Sequence, residues 1–90
     1  MALYFVGYDV RTVSRGALEA LVTGWGGVSL YDGAWLLNRD LSALEIRNAL
    51  QGFLRDDDPA IVLELKPGSW WASEHVERRA LEWLKLHVLT

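Results

Sequence analysis

The chain has 90 residues, of which 51% are apolar, and this size and composition predict one folded domain spanning residues 1–90. Its net charge of −3 disfavours a surface built to grip a phosphate backbone, because non-specific nucleic-acid affinity comes mainly from lysine and arginine. The lack of cysteine excludes disulfides, thiol nucleophiles and cysteine-ligated metals. No apolar run reaches membrane-spanning length and no secretory signal is evident, so we expect a cytoplasmic protein with no membrane partner.

The first apolar run predicts a strand over residues 2–9, and Asp9 closes it. Both alternating sets of side chains in this run are apolar, which is typical of a central strand covered on both faces. A helix should follow, with Ser14 as its N-cap and with Val13 and Leu18 as a hydrophobic staple. The chain is therefore expected to open with a buried strand and a short amphipathic helix.

A β-hairpin is predicted where Asp32-Gly33 separates two short apolar runs, residues 28–31 and 34–37. Asp-Gly between such runs favours a type I′ turn, which needs a positive φ at both central residues. The resulting register divides the hairpin into two faces, with Val28, Leu30, Trp35 and Leu37 on one and Ser29, Tyr31 and Leu36 on the other.

The second helix has the clearest start signal in the chain. Ser42 and Glu45 have the spacing of a capping box, and Leu41 and Ile46 have that of a hydrophobic staple. An apolar stripe with helical spacing follows, formed by Ile46, Leu50, Phe53 and Leu54. The charged segment 55–59 then ends the helix. Its three aspartates lack the ligand spacing of a calcium loop, so we interpret them as a turn.

Residues 60–66 predict a fourth strand, and residues 73–88 predict a third helix. In the strand, alternation favours Ile61, Leu63 and Leu65 on the core side, which would turn three residues outward: Val62, Glu64 and Lys66. The apolar face of the helix would be formed by five residues: Val76, Ala80, Trp83, Leu84 and His87.

This order of elements predicts an α+β fold, a ferredoxin-like βαββαβ sandwich with an antiparallel four-stranded sheet. Residues 1–67 would form the core of that fold, and residues 68–90 would extend it with a C-terminal helix. Two helices cover one face of the sheet, and the other face stays open unless the third helix or a partner packs on it. With Tyr31, Leu36 and Val62 on that face, we expect a homodimer.

Trp70 and Trp71 follow a Pro-Gly turn and lie outside the predicted strands. Adjacent residues of an extended chain point in opposite directions, so one indole should be buried and the other exposed. Two interpretations remain open. The pair attaches the third helix to the sheet, or it contacts a dimer partner, another protein or a nucleic-acid base.

Several segments together resemble a known group of proteins: Tyr8-Asp9 at the end of the first strand, residues 34–37 of the hairpin, residues 41–47 at the start of the second helix, and Leu54 followed by Asp57-Asp58. The pattern resembles the SinR-like branch of the Cas-two/VapD group. These are small ferredoxin-fold proteins that include the non-integrase partner of CRISPR adaptation and several ribonuclease toxins. The resemblance covers roughly residues 1–73.

The resemblance implies a homodimer built sheet to sheet, in which the acid after the first strand of each protomer holds a divalent metal near the two-fold axis. Only Asp9 carries over to this role, as the catalytic residue and the Mg²⁺ ligand of an endonuclease that cleaves RNA or DNA. Thr12 and Ser14 are the nearest hydroxyl side chains. From the residues alone, Asp9 also fits an Asx turn or a helix cap.

Arg11 and Arg15 lie close to Asp9 in the sequence and are candidates for contacts to a phosphate or another anion. They equally fit two solvated arginines, or a salt bridge that holds Asp9. Both interpretations remain open at this point.

The sequence leaves three functions open. The first is the metal-dependent endonuclease centred on Asp9. The second is a non-catalytic protein-interaction module of a CRISPR or other phage-defence complex, acting as an adaptor or a phage-encoded inhibitor, which the acidic charge and the five tryptophans favour. The third is the toxin of a toxin–antitoxin pair, related to the VapD branch.

Overall fold

The computed structural model describes residues 2–11 and 14–88, so Thr12 and Val13, both named above, lie outside the described residues. The elements follow in chain order as strand β1 (Ala2–Tyr8), helix α1 (Ser14–Gly24), strands β2 (Val28–Tyr31) and β3 (Ala34–Arg39), helix α2 (Ala43–Gln51), strand β4 (Ala60–Leu65) and helix α3 (Arg78–His87). Within the described ranges, no helix is long and apolar enough to cross a membrane.

The strands form a four-stranded sheet with the order β2-β3-β1-β4. β1 pairs antiparallel with both β3 and β4, and β2 pairs antiparallel with β3. β1 and β2 are therefore parallel with β3 between them, and β3 and β4 are parallel with β1 between them. Two interlocked βαβ units of this kind make a ferredoxin-like sheet, which confirms the α+β fold predicted from the order of elements.

The face of the sheet that α1 and α2 cover is closed. Its buried residues, which we call the two-helix core, are Tyr4, Val6, Val10, Leu18, Val22, Leu37, Ile46 and Leu50. Burial of one such large aliphatic side chain stabilises a fold by about 1.5–3 kcal/mol. The Tyr4 hydroxyl donates a hydrogen bond to the Leu41 carbonyl oxygen, so the polar atom in this core has a partner. Burial also raises the pKa of the Tyr4 phenol, which therefore stays neutral.

The predicted capping box of α2 is confirmed. The Glu45 amide donates to the Ser42 hydroxyl oxygen over 3.1 Å, and the Ser42 amide donates to the Glu45 carboxylate over 3.0 Å. The helix ends at Gln51, before the end of the predicted apolar stripe. Phe53 and Leu54 nevertheless pack against the two-helix core from the turn that follows.

Two helices begin differently from the prediction. Ser14 is itself a helical residue of α1, so it is not the N-cap. α3 begins at Arg78 instead of residue 73, because His75 has a φ of 58°, a left-handed conformation that an α-helix does not accommodate. The Glu77 amide donates to the Leu30 carbonyl oxygen over 3.2 Å, and this bond holds the segment before α3 against β2.

The second face of the sheet is covered by α3 of the same chain. Its buried residues, which we call the α3 core, are Leu3, Leu36, Ala80, Trp83, Leu84 and Val88. From the sequence, either a partner or the third helix was expected to cover this face. The structure shows that the third helix covers it. Because α3 packs mainly against β2, the part of this face that lies near β4 has less cover.

The hairpin turn is at the predicted position but is not of the predicted type. Gly33 has a φ of 85°, whereas Asp32 has a negative φ, so the turn is not type I′. The Gly33 carbonyl accepts a hydrogen bond of 2.9 Å from the Tyr8 amide. A side chain at Gly33 would both strain the backbone and meet the Tyr8 carbonyl oxygen.

The register of the hairpin also differs from the prediction, because β2 contains a bulge at Leu30. The bulge places Val28 opposite Leu36 rather than Leu37. Val28 and Leu30 therefore pack against the α3 core, while Trp35 packs against the two-helix core on the other face.

The two faces of β4 are exchanged relative to the prediction. β1 and β4 pair so that Val62 lies opposite Val6, and directly paired residues of neighbouring strands share a face. Val62 therefore packs against the two-helix core rather than facing outward. Ile61 and Leu63, predicted to be in the core, lie on the α3 side of the sheet and remain 51% and 49% exposed.

Candidate functional site

Two regions of the surface contain the residues that the sequence singled out. The first, which we call the charged end, lies where the end of β1, the β2–β3 turn and the α2–β4 turn meet. It consists of Asp9, Arg11, Arg15, Asp32, Arg55, Asp57 and Asp58. Asp9 borders three cavities: one shared with Arg15 and Asp32, one shared with Arg11 and Arg55, and a third, apolar one between β1 and the start of β4.

Asp9 is held by Arg11 in a bidentate ion pair. Arg11 Nε donates to Oδ1 of Asp9 and Arg11 Nη2 donates to Oδ2, each over 3.1 Å. The side chains are 84% exposed for Arg11 and 55% exposed for Asp9, and ion pairs exposed to this degree contribute only about 0–1 kcal/mol to stability. The salt-bridge interpretation of Arg11 is therefore the one that the structure supports.

Arg15 also contacts carboxylates. Its Nε donates to Glu19 over 3.0 Å, one turn further along α1, and its Nη2 pairs with Asp32 of the hairpin turn. An anion that bound at Arg11 or Arg15 would have to displace one of these acids. Neither arginine therefore offers an uncontested site for a phosphate.

The residues around Asp9 do not fit a magnesium site within one chain. Mg²⁺ takes oxygen ligands in near-octahedral geometry, usually with more than one acceptor from the protein or the substrate. Among residues 2–11 and 14–88, no cluster of three or more histidine, aspartate or glutamate side chains is close enough to share a metal. Both oxygens of Asp9 face a guanidinium, so the donor set is already neutralised.

Tyr8 is a neighbour of Asp9 that the sequence did not single out as a site residue. Trp35 Nε1 donates to its hydroxyl oxygen over 2.8 Å. Burial raises the pKa of the Tyr8 phenol and outweighs the hydrogen bond from Trp35, which lowers it. The phenol therefore stays protonated at neutral pH and adds no negative charge beside Asp9.

The second region is an apolar groove on the α3 side of the sheet. It lies between β4, α3 and the segment that connects them, and its volume is about 360 Å³. Its walls are formed mainly by Phe5, Leu36, Leu63, Leu65, Leu84 and Trp71. Volumes of this size are typical of sites that bind a small ligand or a few side chains of a peptide.

The tandem tryptophans border this groove, and they divide as the alternation predicted. Trp71 packs against the α3 core, which supports its role in attaching α3 to the sheet. Trp70 is 91% exposed at the groove edge. Trp71 Nε1 is buried and has no hydrogen-bond partner among the described residues.

The residues predicted to form a dimer interface do not share one surface. Tyr31 is 58% exposed on β2. Leu36 is buried beneath α3, and Val62 faces the two-helix core. Of the predicted set, only Trp70 and Trp71 lie with Leu36 along the groove. A flat sheet-to-sheet dimer on this face would have to displace α3.

Comparison of the chain with protein-family models, with curated proteins and with solved structures gives no match. The resemblance to the Cas-two/VapD group therefore remains a prediction from the motifs alone.

Sequence reasoning missed Ile61 and Leu63 as exposed residues on the α3 side of the sheet, where Leu63 lines the groove. Both alternating sets of β4 contain apolar residues, so the strand by itself does not reveal which set faces the two-helix core. The deciding signal is the pairing of β4 with β1, which aligns Val62 with Val6. That pairing is a tertiary contact between distant segments of the chain.

Proposed function

We propose that the chain is a non-catalytic protein-interaction module that binds an apolar segment of its partner in the apolar groove. The observation that carries this proposal is the exposure of Trp70 and Leu63 along one groove. Aromatic and aliphatic side chains clustered around a concave surface are typical of the central part of a protein interface.

Covering the apolar surface of the groove would favour binding of a partner. Removing apolar surface from water stabilises a complex by about 25 cal/mol per Å², before the entropy cost of association.

The charged end supports a binding role better than a catalytic one. Asp9 and Arg11 neutralise each other, and Arg15 is neutralised by Glu19 and Asp32. The resemblance to the Cas-two group is the reason to seek the partner among proteins of a phage-defence complex. The net charge of −3 favours a partner with a basic rim around its apolar segment.

The experiment that tests this proposal is selection of random peptides displayed on phage against the full chain. We expect enriched peptides with alternating apolar residues, and we expect Trp70→Ala and Leu63→Asp to weaken their binding about tenfold or more. Leu44→Asp is the matched control, because Leu44 is 59% exposed on α2 and lies outside the groove. The proposal would be contradicted if no peptide were selected, or if Leu63→Asp and Leu44→Asp lowered the affinity for the selected peptides equally.

A metal-dependent endonuclease is the second candidate. One observation favours it: Asp9 follows the central strand, and its side chain is half exposed beside Arg11 and Arg55, where a phosphate could approach. Its test is cleavage of RNA and DNA with Mg²⁺, Mn²⁺ or EDTA by the wild type and by Asp9→Asn. Metal-dependent cleavage that Asp9→Asn abolishes would replace the interaction module as the function.

A further inference from the structure

Strand β4 has an unpaired outer edge. β4 is the last strand in the order β2-β3-β1-β4, so one of its edges pairs with β1 and the other edge has no neighbouring strand. The Asp9 amide donates to the Pro59 carbonyl oxygen over 3.1 Å. Asp9 and Pro59 are therefore the next pair in the same register, after Tyr8 and Ala60. Because backbone groups alternate in direction along an antiparallel strand, this bond determines which residues of β4 point towards β1 and which point away.

The residues whose amide and carbonyl groups point away from the sheet are Ala60, Val62 and Glu64. No backbone group among the described residues bonds to these outward amides or carbonyls. Pro59 and Pro67 lie at the two ends of this edge, and Lys66 follows β4 with its carbonyl already bonded to the Ser69 amide over 3.1 Å. The free edge is therefore short and has defined ends.

We propose that a second copy of this chain pairs with this edge, β4 against β4, antiparallel and centred on Val62. In this register Val62 faces Val62 of the second copy, and Ala60 faces its Glu64. All three residues have outward backbone groups, so each facing pair exchanges two hydrogen bonds. The arrangement is isologous and closes as a dimer with one continuous sheet.

The side chains on the α3 side of the sheet match in this register. Ile61 faces Leu63 of the second copy, and Leu63 faces its Ile61. These are the two apolar residues of β4 that remain half exposed within one chain. Pairing would bring these side chains into contact across the two strands and place the two apolar grooves on the same face of one sheet.

The charges at the two ends of β4 also match. Asp58 lies before β4 and Lys66 lies after it, so antiparallel pairing brings Lys66 of each copy opposite Asp58 of the other. Lys66 is 76% exposed, and its ion pair with Glu64 is the only one that it makes among the described residues. Parallel pairing would instead place three aspartates, residues 56–58, beside the same three of the second copy, which is repulsive. The charge pattern therefore selects an antiparallel second copy as the occupant.

The inference goes beyond the proposed interaction-module function, because the second copy pairs at the edge of β4 rather than in the groove, and its test separates the two. Sedimentation equilibrium of the full chain should show a dimer. Glu64→Pro should weaken dimerisation about tenfold or more, because proline removes an outward amide while leaving the bonds to β1 intact. A chain that is monomeric at every concentration but still binds selected peptides would overturn the dimer alone. A dimer that selects no peptides would overturn the interaction module alone.

Cysteine cross-linking tests the register, since the natural sequence contains no cysteine. Val62→Cys should form an intermolecular disulfide, because facing residues in a hydrogen-bonded pair lie about 5.5 Å apart between Cα atoms, within the disulfide range of about 4.4–6.8 Å. Glu64→Cys is the matched control, since the two copies of residue 64 would be about 13 Å apart along the strands. Equal cross-linking by both variants, or none by Val62→Cys, would overturn the proposed pairing.

Lys66→Glu tests the charge match without touching a buried residue. It should weaken the dimer several-fold, and the pair Lys66→Glu with Asp58→Lys should restore it. Unchanged dimerisation in Lys66→Glu would overturn the antiparallel register. Circular dichroism of each variant checks that the fold is retained, because Asp58 also accepts a hydrogen bond from the Arg55 amide.

Discussion

The two faces of the sheet are built from the same strands but differ in how completely they are covered. α1 and α2 enclose the two-helix core, in which Leu18, Leu37, Ile46 and Leu50 are fully buried. The other face has only α3, which packs against β2 and leaves the groove beside β4. A single added helix thus covers the β2 side of this face and leaves an apolar groove beside β4.

Adjacent leucines of β3 compare the two faces directly. Leu37 is fully buried in the two-helix core, and Leu36 is 2% exposed beside the groove. We expect Leu37→Ala to lower the free energy of unfolding by about 4 kcal/mol and Leu36→Ala by about 2 kcal/mol, because side chains around the open groove can relax into the space. Urea denaturation measures both values. Equal losses would show that the groove side is packed as rigidly as the closed side.

Adjacent residues of β4 give the same comparison for a charge. Val62→Asp should lower the free energy of unfolding by about 3 kcal/mol, because it places a carboxylate against the two-helix core. Leu63→Asp should change it by only about 0.5 kcal/mol, because Leu63 is already half exposed. Thermal unfolding of the two variants checks the order. The reverse order would mean that the original prediction for β4 was right.

The helices on the two faces also differ in their N-caps. Ser42 caps α2 with a side-chain hydrogen bond, and Ser42→Ala should lower stability by about 1 kcal/mol. Glu77 has the backbone conformation of an N-cap for α3 but makes no side-chain cap bond. Glu77→Ser should therefore raise stability by about 0.5 kcal/mol. Urea denaturation of both variants decides whether the α3 start is as poorly capped as the geometry indicates.

The smallest effect is expected at the charged end. Asp9→Asn should change the free energy of unfolding by less than about 0.5 kcal/mol, because its ion pair with Arg11 is exposed. Addition of Mg²⁺ should leave the melting temperatures of wild type and Asp9→Asn unchanged. A rise in melting temperature for the wild type alone would indicate a metal site that depends on Asp9.

Local signals in the sequence were sufficient for several elements. The capping box of Ser42 and Glu45 determines the start of α2 because its hydrogen bonds join residues of one helical turn. The Asp32-Gly33 turn is at the predicted position for the same reason. The predicted start of α3 was wrong, because His75 adopts a left-handed conformation that its sequence neighbours do not reveal.

The candidate site was predicted less well than the fold. Asp9 and Arg11 were both candidate site residues, and a salt bridge between them was one of the two interpretations that the sequence allowed. The structure shows that salt bridge. The groove could not be assembled from the sequence, because its walls come from all four strands, from α3 and from the segment between β4 and α3. Only Trp70 and Trp71 indicated in advance that a contact surface lay in that part of the chain.

The sequence by itself determined the order of the elements and the antiparallel α+β fold, because periodicity, caps and turn residues act over a few neighbouring positions. Only the tertiary structure decided which face each side chain of β2 and β4 occupies, because the bulge at Leu30 and the pairing of Val62 with Val6 are set between strands. It also decided that α3 covers its own sheet. Packing between distant segments therefore turned an ordinary ferredoxin-like sheet into one with a closed face and a grooved face.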